Sequence, residues 1–83
     1  MILAEVAMEL AEHAASESLS AREIEILCRV AHGRSNKEIA TRCGISEETV
    51  KGHMTNILAK LHAKDRTHAV AIALKRGIIM ALD

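Results

Sequence analysis

Residues 36–55 read NKEIATRCGISEETVKGHMT, and this stretch decides the fold. Ile39, Ala40 and Cys43 recur at helical spacing, a glycine follows, and Ile45, Val50 and Met54 take up the same period beyond it. Two helical segments joined by a tight turn make a helix-turn-helix. Ala40 is small where the two helices must approach at a steep angle. Gly44 stands at the turn position that needs positive φ, which costs a glycine nothing because it has no Cβ. Val50 is apolar where the second helix packs back on the first.

Working outward, the helix starts are written in capping residues. Ser35 and Glu38 form a capping box, in which each side chain satisfies the other's backbone N–H, and Ser20 with Glu23 forms another. Ser46 precedes Glu47 and Glu48, acids where the helix dipole favours them. Asp65 is a good cap for a last helix over about 66–76. Gly33, Gly44 and Gly77 stand where helices end. The spacing therefore predicts helices from about residue 21, from 36 to 43, from 47 to 61 and from 66 to 76. Ile24, Leu27, Cys28 and Ala31 form the expected inner face of the first of these, and Val50, Met54, Ile57, Leu58 and Leu61 that of the third. A turn through Ala63 and Lys64 joins the last two. Upstream, Ile2, Val6 and Leu10 lie at i, i+4 and i+8, giving an amphipathic helix over about 2–15 with Glu5, Glu9 and Glu12 opposite. The reading is all-α: a linker helix in 1–18, then a four-helix domain over 19–83.

Composition agrees and excludes. The chain has 83 residues, 49% of them hydrophobic, with no Pro, Phe, Trp or Tyr. Without aromatic rings it is no base-stacking single-strand or RNA-sheet binder, and it can build no aromatic cage. Two cysteines without a secretory leader point to a reducing compartment, hence the cytoplasm, and no apolar run reaches the roughly 18 residues of a membrane span. Lys+Arg and Asp+Glu balance at 11 each, but unevenly. Residues 1–25 carry six Glu and Arg22, a net of −5, whereas 26–83 carry ten Lys/Arg against five acids, a net of +5. A polyanion would dock on the basic part.

The pieces Leu19-Ser20-x-Arg22-Glu23, Gly33-x-Ser35-Asn36-Lys37-Glu38-Ile39-Ala40, Thr49-Val50-Lys51-x-His53, Lys60-Leu61 and Arg66-Thr67 carry a family resemblance. Over about 19–79 the chain resembles the LuxR/NarL-type helix-turn-helix DNA-binding domain, the C-terminal effector of bacterial response regulators. The resemblance implies a four-helix domain that dimerises on duplex DNA and regulates transcription in a two-component system, with RNA polymerase a candidate further partner. Members carry an N-terminal sensory module; none is present in this sequence, and 1–18 looks like the linker helix that precedes the domain, so the chain reads as an excised or truncated effector.

If Val50, Met54, Ile57 and Leu61 face inward, then Lys51, Gly52, Thr55 and Asn56 face outward near the start of the helix over 47–61, the end that enters a major groove. The base-contacting positions that the resemblance implies are Lys51, Gly52 and Thr55, with Asn56 if it reaches. Lys51 would meet guanine or a phosphate, and Thr55 a base edge or a thymine methyl. Many members have a larger residue at Gly52 and a basic one at Thr55, which shifts weight toward DNA shape. Gly52 marks either close backbone approach or tolerated drift on an exposed face. Ser35, Asn36, Lys37, Thr49, Lys60 and Arg66 are the candidate phosphate contacts, with Lys64 a weaker one; Arg66 has the alternative of holding the last turn together. The helix over 66–76 is apolar over much of its circumference, and Ala69, Val70, Ala73 and Leu74 form the expected dimer face; the alternative is that the first helix covers them within one chain.

Five histidines and the cysteines include Cys28-x-x-x-His32, but Cys43 belongs to the helix-turn-helix core and no CxxC pair exists, so no metal or cofactor is expected. No nucleophile–base pairing or phosphate loop is present, and catalysis is rejected. The rival reading is a helix-turn-helix-shaped interaction module, an adaptor or anti-activator without DNA binding.

Overall fold

Four capping side chains set where the helices begin. In the computed structural model, which describes residues 18–80, α1 spans Ala21–Ala31, α2 Asn36–Cys43, α3 Glu47–Leu61 and α4 Arg66–Arg76, with no strand among the described residues. Ser20 Oγ accepts from Glu23 N at 3.1 Å while Ser20 N donates to Glu23 Oε1 at 2.8 Å. Ser35 and Glu38 repeat the exchange at 3.2 and 2.9 Å. Ser46 Oγ accepts from Thr49 N at 3.0 Å, and Asp65 Oδ1 from His68 N at 2.8 Å. Each box quiets two N–H groups that the helix start would otherwise leave unbonded. The linker helix expected in 1–18 lies outside the described residues, of which Ser18 is the first.

Gly44 takes φ +68° after α2, and Ile45 N closes the turn on Ala40 O at 3.0 Å. The end of α3 was not legible in this way. His62 carries φ +55°, the one non-glycine with positive φ among the described residues, and Ala63 N reaches back to Leu58 O at 2.9 Å. The reversal therefore begins at His62, ahead of the expected Ala63–Lys64 turn, because this helix end takes its left-handed residue without a glycine to announce it.

α3 is central, packing against α1, α2 and α4, while α4 also packs on α1. The buried core is Ile26, Leu27, Ile39, Ala40, Val50, Met54, Ile57, Leu61, Ala69, Ala73 and Ile79. The inner face of α1 differs from expectation. It runs through Glu23, Ile26 and Leu27, whereas Ile24 and Cys28 are half-buried and Ala31 is exposed. The apolar arc of this helix is broad, lying opposite Arg22, Glu25 and Arg29, so its centre could be read toward Ile24 and Cys28 or toward Ile26 and Leu27. A glutamate inside the right one disguised it. Ala69 and Ala73 are likewise 0% exposed, which corrects their assignment to a dimer face: being four apart, they lie together under the chain's own helices. No described helix is long and apolar enough to cross a membrane.

Candidate nucleic-acid interface

The turn at Gly44 and the burial of Val50, Met54, Ile57 and Leu61 fix the rotation of α3. Its opposite side presents Lys51, Gly52, Thr55 and Asn56, all exposed. Lys51 Nζ lies 3.6 Å from Glu48 Oε1, with both side chains mostly in solvent. Such a pair is worth about 0–1 kcal/mol and yields readily to a stronger anion. A methyl built on Gly52 would meet nothing within 4 Å. Gly52, Thr49, His53, Thr55 and Asn56 line a shallow depression there.

The threonine hydroxyls on this side are already engaged. Thr55 Oγ1 donates to Lys51 O at 3.1 Å, and Thr49 Oγ1 lies 2.9 Å from Ser46 Oγ. A hydroxyl that donates within the chain keeps lone pairs with which to accept, so each threonine can meet a ligand through its oxygen or its methyl.

Beside the depression runs a groove lined by Asn36, Lys51, Met54, Thr55, Leu58, Lys64, Asp65 and Arg66. It gathers residues from the start of α2, the middle of α3 and the start of α4, and so brings together Asn36, Lys51, Thr55 and Arg66. Leu58 and Asp65 also line it, although the sequence reading gave the first to the interior and the second to a helix cap. Leu58 is half-buried and serves both places.

The expected phosphate contacts fall into two groups. Lys37 is exposed, and neither it nor Lys64 has an ion-pair partner among the described residues. Ser35 Oγ accepts from Glu38 N and keeps its own O–H to donate, and Thr49 Oγ1 is paired with Ser46 Oγ. Asn36 Oδ1 accepts from Arg66 Nη1 at 2.9 Å, and Arg66 Nη2 donates to Arg34 O at 3.1 Å. Lys60 stands apart from the groove, its Nζ 2.8 Å from Glu23 Oε1, whose side chain is 5% exposed. Burial pushes the Glu23 carboxyl up, yet the Lys60 ammonium and the Ser20 backbone N–H more than offset this, and the group is held below the usual carboxylate range. The sequence placed Lys60 at the end of a helix but gave no sign that its partner lay 37 residues away.

A second cluster braces the scaffold. Glu25 receives Arg29 Nη2 at 3.2 Å and Arg22 Nη1 at 3.3 Å, and the Cys43 thiol points at it from 3.8 Å, tying the end of α2 to α1. The Arg29 hydrogen bond, opposed by partial burial, lowers the Glu25 carboxyl. Among the described residues no three His, Cys, Asp or Glu side chains gather closely enough to hold a metal ion.

Comparison with known proteins agrees with this geometry. Residues 17–73 match the family described as bacterial regulatory proteins, luxR family. The chain is 49% identical over 63 residues to the transcriptional regulatory protein LiaR of Bacillus subtilis, covering 76% of this chain and 30% of LiaR. It shows the same identity and coverage with the response regulator VraR of Staphylococcus aureus. The chain thus spans about 30% of the length of these curated relatives. A solved structure of the transcription factor GerE superposes with a TM-score of 0.73 at 35% identity, covering 78% of this chain and 96% of that one. The response regulator ChrA, from a heme-sensing two-component system, gives 0.73 at 42% identity, covering 90% of this chain and 38% of ChrA. These relatives are regulators and not enzymes. From its caps to its central α3, the chain is a four-helix domain of the luxR family of bacterial regulatory proteins.

Proposed function

We propose that this chain binds duplex DNA, with the first half of α3 entering the major groove, and that it does so as the effector domain of a two-component response regulator. The observation that carries the reading is the convergence of Lys51, Thr55, Asn36, Lys64 and Arg66 on one groove beside the exposed face of α3. Lys51 reads guanine or a neighbouring phosphate, Gly52 lets the helix backbone come close, and Asn56 reaches a base edge. Thr55, whose hydroxyl donates to Lys51 O, meets a thymine methyl or accepts from a base edge. Lys37 and the N–H groups at the start of α2 receive a phosphate, which sets the register of the protein on the duplex.

Dimer contact falls to the outer side of α4. Val70 is half-buried and Leu74 is 38% exposed, so these two remain of the expected four once Ala69 and Ala73 are in the core. Such a regulator acts in the cytoplasm, with RNA polymerase at the promoter as its further partner.

Titration of a labelled mixed-sequence duplex at 50 and 200 mM salt, followed by anisotropy, tests the reading. Binding driven by several phosphate contacts weakens by orders of magnitude across roughly that range. Lys51→Ala is expected to cost about 1–3 kcal/mol on a selected operator. Absence of binding at low salt, or unchanged affinity on losing Lys51, defeats the groove assignment and leaves an interaction module.

A further inference from the structure

Arg66, at the first position of α4, spans to the far end of the helix-turn-helix. Its two Nη atoms hold Asn36 Oδ1 and the Arg34 carbonyl at 2.9 and 3.1 Å. The backbones of α2 and α4 make no packing contact with each other. The guanidinium is therefore the direct bond between these two helices among the described residues. It also forms a wall of the groove holding Lys51 and Thr55 and of a second groove between α1 and α4.

An arginine side chain has donors only. Asn36 must consequently turn its carbonyl oxygen to Arg66, and its Nδ2 hydrogens point elsewhere. That amide lines the groove that also holds Lys51 and Lys64. The amide hydrogens and both ammonium groups are donors, and together they suit an anion. Flipping the amide would set its hydrogens against the guanidinium and present an oxygen to the anion instead.

Resting on the DNA-binding reading, we propose that Arg66 is a positioning residue for backbone recognition and not itself a phosphate contact. It locks the Asn36 carboxamide with its oxygen on Arg66 and holds the start of α2 in register with α4, so that Asn36 Nδ2 is left to donate to the DNA backbone at the groove it lines with Lys64.

The salt dependence of DNA affinity separates this role from direct contact. Anisotropy titrations across 50–200 mM salt compare the wild-type chain with Arg66→Gln, Asn36→Asp and the pair Arg66→Gln/Asn36→Ala, with thermal melts alongside. Arg66→Gln is expected to weaken binding about tenfold at every salt, the worth of one bond to a charged group, with the log–log slope unchanged. Asn36→Asp keeps a partner for Arg66 and holds the melting midpoint, yet loses at least as much affinity because an oxygen replaces the outward donor. The paired variant binds close to the Arg66→Gln single, because a carboxamide already released from Arg66 has little left to lose. A slope reduced by about 0.9 in Arg66→Gln overturns the proposal and makes Arg66 a phosphate contact. Unchanged affinity in Arg66→Gln or in Asn36→Asp overturns it as well. Should Arg66→Gln not fold, Arg66→Lys decides: it keeps the charge but loses the fork that holds Asn36 and Arg34 together, so affinity kept at the wild-type level overturns the proposal. Wild-type protein that shows no salt-sensitive binding defeats the DNA reading itself, an outcome distinct from each of these.

Discussion

Gly52 shows how a single residue can serve two masters. It sits inside α3 with ordinary helical φ, and an added Cβ would meet nothing within 4 Å. Gly52→Ala should therefore stabilise the domain by about 1 kcal/mol through helix propensity alone. For a domain of this size that is a rise of roughly 4–8 °C in Tm by calorimetry. DNA affinity measured on the same variant should fall, because the methyl stands where the groove floor is to approach. A variant that gains stability and keeps its affinity would make Gly52 a tolerated surface glycine. Lys60 gives the opposite case, a charge whose work is inside the fold. With Lys60→Ala, the Glu23 carboxyl loses its charged partner and should titrate higher than in the wild-type chain. A buried group that loses its partner costs about 1–3 kcal/mol, readable in urea unfolding at pH 7. Unchanged stability would mean that Glu23 finds water instead.

At the scale of the element, the caps account for the helix starts and a pair of facing positions accounts for the sides. α4 divides its apolar residues between two rows. Ala69 and Ala73 face the core at 0% exposure, while Leu74 at 38% lies outward. The rows should respond differently to substitution. Ala73→Leu forces extra volume into a filled core and should cost about 1–3 kcal/mol of stability whether or not a partner is present. Leu74→Asp should leave the melting midpoint nearly unchanged and shift DNA-bound protein from dimer to monomer in sedimentation. A Leu74→Asp variant that still sediments as a dimer on DNA would move the contact off α4. The capping boxes belong here too. Glu38 is held below the usual carboxylate range first by the Ser35 backbone N–H, so its bond at the start of α2 is an ionised one and is lost on protonation.

Across the whole molecule, the carboxyls of Glu23, Glu25 and Glu38 are all lowered in the fold. A group that releases its proton more readily when folded stabilises the fold above its unfolded pKa, about 4.3 for glutamate. That contribution is lost as pH falls through the lower folded value. Urea unfolding should thus give nearly constant stability from pH 7 down to about 5, then a steady decline below about 4.3. Glu23 should carry most of the decline, since Glu25 and Glu38 lie at exposed surfaces where solvent weakens each pair. Stability that rises on acidification over that range would contradict the lowered carboxyls. The uneven charge of the sequence has its counterpart in three dimensions. Arg22, Arg29, Arg34, Lys51 and Lys60 meet carboxylates, whereas Lys37, Arg42, Lys64, Arg66, Lys75 and Arg76 have no ion pair among the described residues.

The sequence by itself determined the helices, their boundaries at Ser20, Ser35, Ser46 and Asp65, the glycine turn at Gly44 and the outward face of α3. Each of these rests on interactions between residues three or four apart, and local spacing carries them whole. It also made the family resemblance plain, because many of the signature residues, such as Ser20, Glu23, Ser35, Glu38, Ile39, Ala40 and Val50, are the caps and core positions of those same elements. Only the tertiary structure decided that α1 buries Glu23, that Lys60 answers it, that Ala69 and Ala73 lie inside, and that Arg66 is bonded to Asn36 and Arg34. These depend on which side of one helix meets another, and residues 30 or more apart leave no periodic trace. The left-handed turn at His62 belongs with them: a positive φ at a residue that carries a Cβ leaves no mark in local spacing.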